Sequence, residues 1–216
     1  MVVTAPGALV SLSRLHHPVT VLGFGTRVGV WFQGCTIGCG DCISHDTWTR
    51  GAADEAVPVA DVLAWIQGCG RVDGLTISGG EPLDQPEALT ALVDGFRGLH
   101  TAVGADVLVY SGNTATALQR RFGDAWRIGD ATITGPYLAT RPGDSLRGSS
   151  NQEIHPHTRL GQARYGGAIP AVGRIQVAAT GGQLWMIGIP APGDMAVMKS
   201  RLAGRGIRLS DTSWMC

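Results

Sequence analysis

An α/β fold on a parallel sheet is the architecture this sequence predicts, and three observations lead to it. Between residues 26 and 134, four strand-like apolar runs are separated by amphipathic helical runs. The connections are short, which is the pattern of right-handed βαβ units. The strand-like runs carry little polar character on either face, as strands covered on both sides of a parallel sheet do.

Taken in order, residues 1–25 read as a lead-in, with Gly23-Phe24-Gly25 as a turn. Thr26 to Gln33 reads as a strand, with Val28, Val30 and Phe32 on one face and Trp31 on the other. Pro58 to Gln67 reads as a helix: Pro58 suits a first turn, and Val59, Val62, Leu63 and Ile66 make one apolar stripe. Gly74 to Ser78 is a second strand, running into Gly79-Gly80-Glu81-Pro82. Pro86 to Gly98 is a second helix, with Leu89, Leu92, Val93 and Phe96 on one side. Asp106 to Tyr110 is a third strand ending at Ser111-Gly112, Thr114 to Phe122 a third helix, and Ala131 to Thr134 a fourth strand.

Residues 135–172 lose this rhythm. Gly135-Pro136 and Pro142-Gly143 are turns, and Arg147-Gly148-Ser149-Ser150-Asn151-Gln152 is a polar loop. Long irregular stretches inside a domain are usually functional or mobile. Arg174 to Ala179 and Gln183 to Ile189 flank Thr180-Gly181-Gly182 and predict a hairpin. Asp194 to about Leu202 predicts a last helix, with Met195, Met198 and Leu202 inward and Gly204 as its stop. The chain reads as one domain: residues 1–154 form the core with its lead-in, and residues 155–216 are an appendage packed on it.

Of 216 residues, 44% are hydrophobic and 16% charged, so a sizeable core is expected and disorder is not. The formal net charge is zero, which argues against nucleic acid or an anionic membrane as partner. The first residues have no basic start and no long apolar segment, so neither a signal peptide nor a membrane span is expected. Five cysteines, three of them crowded together, make poor disulfide arithmetic and good metal arithmetic for a cytoplasmic protein.

Those three are Cys35, Cys39 and Cys42, spaced C-x3-C-x2-C just after the first strand. Thiolates so close on a Gly-rich loop can converge on one metal centre, and iron–sulfur clusters favour such ligands. A four-iron cluster normally takes four thiolates. Either Cys69 or Cys216 completes the set, or one iron stays open to a further ligand. A zinc knuckle is the bland alternative, with His45 as its local fourth ligand. Gly79 and Gly80, after the next strand, leave backbone groups bare for a polar ligand. Both motifs fall at carboxyl ends of strands, where α/β folds bind their ligands. His155-Pro156-His157 and His16-His17 read as surface histidines, and Cys69 as a small buried hydrophobe.

The cysteine motif with Gly79-Gly80-Glu81-Pro82 resembles the radical S-adenosylmethionine (SAM) superfamily. Within it, the chain is similar to glycyl-radical activating enzymes, above all the activases of anaerobic ribonucleoside-triphosphate reductase. Gly23-Phe24-Gly25-Thr26-Arg27, Gln33-Gly34-Cys35, Cys39-Gly40-Asp41-Cys42, Thr47-Trp48 and Arg147 to Gln152 carry that likeness, which spans roughly residues 12–152. Asp41 stands where many members have an aromatic residue, and residues beyond 155 exceed the short activases.

The resemblance implies a partial (β/α)6-type barrel with a C-terminal hairpin and helix appended. It implies a [4Fe-4S] cluster held by Cys35, Cys39 and Cys42, with SAM chelating the fourth iron. Asp41, Ile43, Gly79, Gly80, Glu81 and Ser111 are the implied SAM-binding positions, and Arg147, Asn151 and Gln152 the candidate substrate-lining ones. The implied reaction is reductive cleavage of SAM to a 5′-deoxyadenosyl radical that abstracts hydrogen. Flavodoxin or ferredoxin is the implied electron donor, and a glycyl-radical protein the implied substrate. Two other readings stay open: a radical SAM enzyme for a small metabolite or peptide, and a non-catalytic iron–sulfur carrier or zinc module.

Overall fold

The computed structural model describes residues 7–51, 55–100, 104–168, 174–180 and 183–209. The strands are β1 (Leu9–Val10), β2 (Leu12–Val19), β3 (Arg27–Phe32), β4 (Val57–Pro58), β5 (Gly74–Gly79), β6 (Asp106–Ser111), β7 (Ala131–Thr134), β8 (Glu153–Pro156), β9 (Ile175–Thr180) and β10 (Gln183–Gly188). The α-helices are α1 (Val59–Gly68), α2 (Pro86–His100), α3 (Ala115–Phe122), α4 (Arg159–Tyr165) and α5 (Asp194–Ala203).

The central sheet has the order β2-β3-β5-β6-β7-β8. Strands β3, β5, β6 and β7 run parallel, while β2 and β8 pair antiparallel at the two edges. The mostly parallel α/β sheet is therefore as expected, with each expected strand and helix within a few residues of its place. Helices α1, α2 and α3 cross over between the parallel strands and cover one face. Val28, Val30, Phe32, Leu75, Ile77, Val107 and Val109 point into that layer and meet Ile66, Leu92, Phe96 and Leu118. The alternate side chains, Trp31 and Leu108 among them, lie on the opposite face. Alternation thus assigns Trp31 to the face the sequence predicts.

Four expectations need correction. The lead-in is not one: Leu12–Val19 forms an edge strand against β3, with two register shifts. Its Pro18 and its run of basic residues hid it, yet proline is at home on edge strands. The expected boundary between residues 154 and 155 cuts through β8, which pairs along β7 from Thr134↔Glu153 to Ala131↔Pro156. His155 and His157 are half-buried on and beside that strand, with Nε2 atoms 3.0 and 2.9 Å from the Thr134 and Thr132 hydroxyls. Both rings sit edge-on to Trp126, and burial pushes the His157 imidazole down to about 4. His16 and His17 are half-buried in β2, His16 packing edge-on against Trp185 at 5.2 Å.

The short helix α4 was not expected. Thr158 caps it, accepting from the Gly161 amide at 3.0 Å. The helix carries Tyr165 back to the amino end of the sheet, where its phenol donates to Asp106 at 2.6 Å. There Arg27 is fully buried, donating to both Asp106 carboxylate oxygens at 2.7 and 3.1 Å and to Thr76 at 2.7 Å. Arg164 also bonds Asp106. Burial alone would raise the Asp106 carboxyl, but the Arg27 guanidinium outweighs it and holds the group below the usual carboxylate range.

Strands β9 and β10 form the expected hairpin, its Gly181-Gly182 tip lying outside the described residues. Ile187 is buried with Val19, Val21, Leu22 and Trp31, so the hairpin packs on the uncovered face of the sheet. Trp185 meets Trp31 edge-on at 4.6 Å, and the Gln176 side chain accepts from the Thr20 amide and donates to Pro18 O. In α5, Met195, Met198 and Leu202 are half-buried on one side, as their spacing predicts. Among the described residues no helix is long and apolar enough to cross a membrane.

Candidate functional site

The carboxyl ends of the parallel strands open into one cavity of ≈ 1300 Å³. Cys35, Cys39 and Cys42 line it from the loop after β3, Gly79 and Gly80 from the loop after β5, Ser111 and Gly112 after β6, and Gly135 after β7. Pockets for single small ligands run to about 1,000 Å³, so there is room for more than one bound group.

The cysteine loop is tied into a ring by its return segment. Gly34 N–H donates to Thr47 O at 2.8 Å and Cys35 N–H to Trp48 O at 3.0 Å. Gln33 Nε2 donates to the Asp46 and Thr49 carbonyls, and Thr36 is held by Asp84. The three thiols are free and half-buried. Burial raises the Cys42 thiol, and Cys39 and Cys35 raise it further, while the Ser44 amide donates to its sulfur at 3.4 Å. A thiol so raised suits a cationic metal centre, which reverses that preference. Among the described residues, no three His, Cys, Asp or Glu side chains are arranged to hold a single metal ion. A tetrahedral zinc with Zn–S bonds of about 2.3 Å would need sulfurs about 3.8 Å apart. Cysteine thiolates are the ligands of iron–sulfur clusters, so the donor set on this loop is of the chemistry a cluster takes.

The other cysteines stand apart. Cys69 caps the end of α1, donates its thiol to Trp65 O and packs against the helix-side core, half-buried rather than buried as expected. Cys216 lies outside the described residues. His45 packs edge-on against Trp48 at 4.4 Å.

The Gly79-Gly80 loop is fused to the cysteine loop by backbone contacts. Gly80 N–H donates to Phe32 O and Glu81 N–H to Gly34 O, both at 2.9 Å. Gly79 has φ +102, and a Cβ on Gly80 would collide with the Gly34 carbonyl. Glycine is required here because two backbones touch. Gly80→Ala is therefore expected to cut the iron retained per chain after anaerobic reconstitution severalfold, whereas Gly40→Ala, which faces open space on the cysteine loop, should leave it unchanged. Equal iron contents in the two variants would refute the fusion of the loops.

Glu81 lies off the cavity and Ser111 on it, and the two are bonded to each other. Glu81 is fully buried off the cavity and accepts from Leu83 N–H, the Ser111 hydroxyl and Gly112 N–H at 2.9–3.0 Å. Burial pushes its carboxyl up to about 7 against the pull of those donors. Glu81 thus braces the end of β5 against the end of β6. Ser111 lines the cavity, but its hydroxyl is given to Glu81 and it accepts from Asn113 N–H.

Ile43 and Gln152 line the cavity; Asp41, Arg147 and Asn151 do not. Asp41 is exposed. Arg147 pairs with Asp144 at 2.7 Å, and Asn151 Nδ2 donates to Pro136 O at 2.8 Å, so both hold their own loop in shape. Gln152 donates to Gly135 O, fixing the loop to the end of β7. Sequence reasoning missed Tyr110, Tyr137 and the hairpin residues Trp185, Met186 and Ile187, all of which line the cavity. The one sign for Tyr110 was its place as the last full strand residue before the carboxyl edge; the hairpin carries no motif.

Comparison with known proteins fits this geometry. The family described as "4Fe-4S single cluster domain" matches residues 21–155. The anaerobic ribonucleoside-triphosphate reductase-activating protein of Haemophilus influenzae is 28% identical over 146 residues, covering 65% of this chain and 94% of its own. Its counterpart in Pasteurella multocida is 30% identical over 157 residues, covering 67% of this chain and 96% of its own. The pyruvate formate-lyase-activating enzyme of Clostridium pasteurianum is 34% identical over 101 residues, 43% of this chain and 42% of its own. The crystal structure of QueE from Escherichia coli aligns with 51% of this chain and 55% of that one at a TM-score of 0.40 and 20% identity, too distant to bear on fold or function.

Proposed function

We propose, from the premise that the chain belongs to the 4Fe-4S single cluster domain family, that it is a radical SAM enzyme which activates a glycyl-radical enzyme. The target that the relatives' names favour is anaerobic ribonucleotide reductase. The observation that carries this reading is the meeting of three cysteines and the fused Gly79-Gly80 loop at one cavity on the carboxyl edge of the sheet.

In this reading Cys35, Cys39 and Cys42 hold a [4Fe-4S] cluster, and no fourth protein ligand is called on. When bound, the cluster and SAM supply one-electron reductive cleavage of the sulfonium and, through it, hydrogen-atom abstraction. The backbone of Gly79 and Gly80 would hold the amino end of SAM, with Ile43 and Gly112 lining the same cavity. Trp31 and Trp48 wall the cavity and limit water there. Glu81 holds the strand ends in register without touching the ligand. The sheet is read as a short form of the (β/α)6-type barrel, left open so that a protein loop can enter. Flavodoxin or ferredoxin serves as electron donor, and the enzyme works in the cytoplasm.

A second reading, action on a small metabolite or peptide, is favoured by one observation. The hairpin that walls the cavity lies beyond the family match, which ends at residue 155. The test for both begins with anaerobic reconstitution with iron and sulfide, then SAM and dithionite. 5′-Deoxyadenosine is expected; an intact cluster that yields none would leave only the electron-carrier reading. A radical EPR signal on an added reductase then separates the activase from the small-substrate enzyme.

A further inference from the structure

We propose that Asp84 is a positioning residue for the cysteine loop, and that its carboxylate, paired with Arg121 of α3, tunes the reduction potential of the cluster that the loop would hold. This rests on the cluster reading above and deepens it. It names two side chains outside the thiolate set that govern how readily the cluster takes an electron.

Asp84 ends the short 3₁₀ turn Pro82–Asp84 that follows the Gly79-Gly80 pair. The turn is fixed at its base. Glu81 accepts from Leu83 N–H within the turn and from Gly112 N–H at the end of β6, and Asp84 N–H donates to Glu81 O at 3.0 Å. From there the Asp84 side chain reaches 48 positions back to the cysteine loop. One carboxylate oxygen accepts from the Thr36 amide at 3.0 Å, and the other from the Thr36 hydroxyl at 3.1 Å. Thr36 directly follows Cys35, so this two-point grip fixes the chain where it leaves the first thiol. The next residue, Ile37, packs so closely on Gly112 that a Cβ added there would collide with it. The loop is thus anchored on the ends of β5 and β6 as well as by its own return segment.

The grip carries charge. The Asp84 side chain is 3% exposed, and the Arg121 guanidinium that meets it at 3.3 Å is 53% exposed. A carboxylate nearly out of water acts on its surroundings with little screening, whereas solvent and salt weaken the field of a half-exposed cation. Cluster potentials follow the net charge and hydrogen bonding around the cluster. A negative charge bonded to the residue beside a ligand disfavours an added electron, and a positive one favours it. Asp84 therefore lowers the potential, and Arg121 partly offsets it.

Asp84→Asn separates charge from grip, because asparagine can accept from the Thr36 amide and donate to its hydroxyl. The proteins are reconstituted anaerobically with iron and sulfide, without SAM, and poised in a redox buffer near the wild-type midpoint. EPR of the reduced cluster then gives the reduced-to-oxidised ratio. Asp84→Asn is expected to raise that ratio about fivefold, and Arg121→Gln to lower it about twofold. A loop that was merely loosened gives no reason for opposite signs. Asp84→Ala loses the grip too and is expected to retain less iron per chain than wild type. Ratios that move together, or not at all, overturn the charge assignment, and wild-type iron in Asp84→Ala overturns the grip. Should Asp84→Asn take up no iron, the half-exposed Arg121→Gln decides the charge assignment alone, an unchanged ratio overturning it. A wild type that assembles no cluster overturns the cluster reading itself, whereas a full cluster indifferent to both residues overturns this inference only.

Discussion

Replacing Cys39 by alanine is expected to abolish cluster assembly and bring 5′-deoxyadenosine formation to background. Losing a group behind a metal ligand costs about 10–100-fold, so losing a ligand should exceed the upper end of that range. The same holds for Cys35→Ala and Cys42→Ala, because the loop that carries all three is closed by its own backbone bonds and offers no replacement thiol. Cys69→Ala is the internal contrast. Its thiol bonds Trp65 O at the end of α1, against the helix-side core, and its removal should leave iron and sulfide per chain unchanged. Chemical iron and sulfide analysis with visible absorption reads both results. If Cys69→Ala emptied the protein of iron, or Cys39→Ala kept a full complement, the three-ligand assignment would be wrong and the open iron with it.

Arg27→Met is expected to be the most damaging single change away from the cavity. Both Arg27 and Asp106 are wholly buried, so deleting the cation strands a carboxylate inside the protein. Breaking such a pair costs about 3–5 kcal/mol, and the low end applies here because Arg164 and Tyr165 still reach Asp106. For a chain of this size that low end corresponds to a drop of roughly 6–12 °C in Tm. The double variant Arg27→Met/Asp106→Leu should recover part of the loss, since no buried carboxylate remains. Thermal and urea unfolding of the three proteins measure this. A cost below about 1 kcal/mol for the single change, the level of an exposed pair, would mean that water reaches the amino end of the sheet and that the network does not seal it.

The parallel core and the cysteine loop were legible in the sequence for physical reasons. Each of β3, β5, β6 and β7 is a short run of residues with both faces covered, so it had to be mainly apolar and stood out between helices of different period. Cys35, Cys39 and Cys42 are neighbours in sequence because a metal loop is local. Gly79 and Gly80 are likewise local, although the reason for them, contact with Phe32 and Gly34, is not. The edge strand β2 was hidden because one of its edges faces no strand of the central sheet. Its proline and histidines are tolerated there and read as loop.

What this sequence determined alone is the part of the site whose members are near one another along the chain: three thiols, a glycine pair, and the strand ends that present them. What only the tertiary structure decided is which polar groups are already spent. Glu81 and Ser111 satisfy each other 30 positions apart, Arg147 and Asn151 bind their own loop, and Arg27 meets Asp106 across the sheet. Asp84 grips Thr36 48 positions back, and a hairpin that carries no motif becomes a wall of the cavity. A buried polar group must find a partner wherever folding brings one, and a sequence records the group but not the distance to that partner.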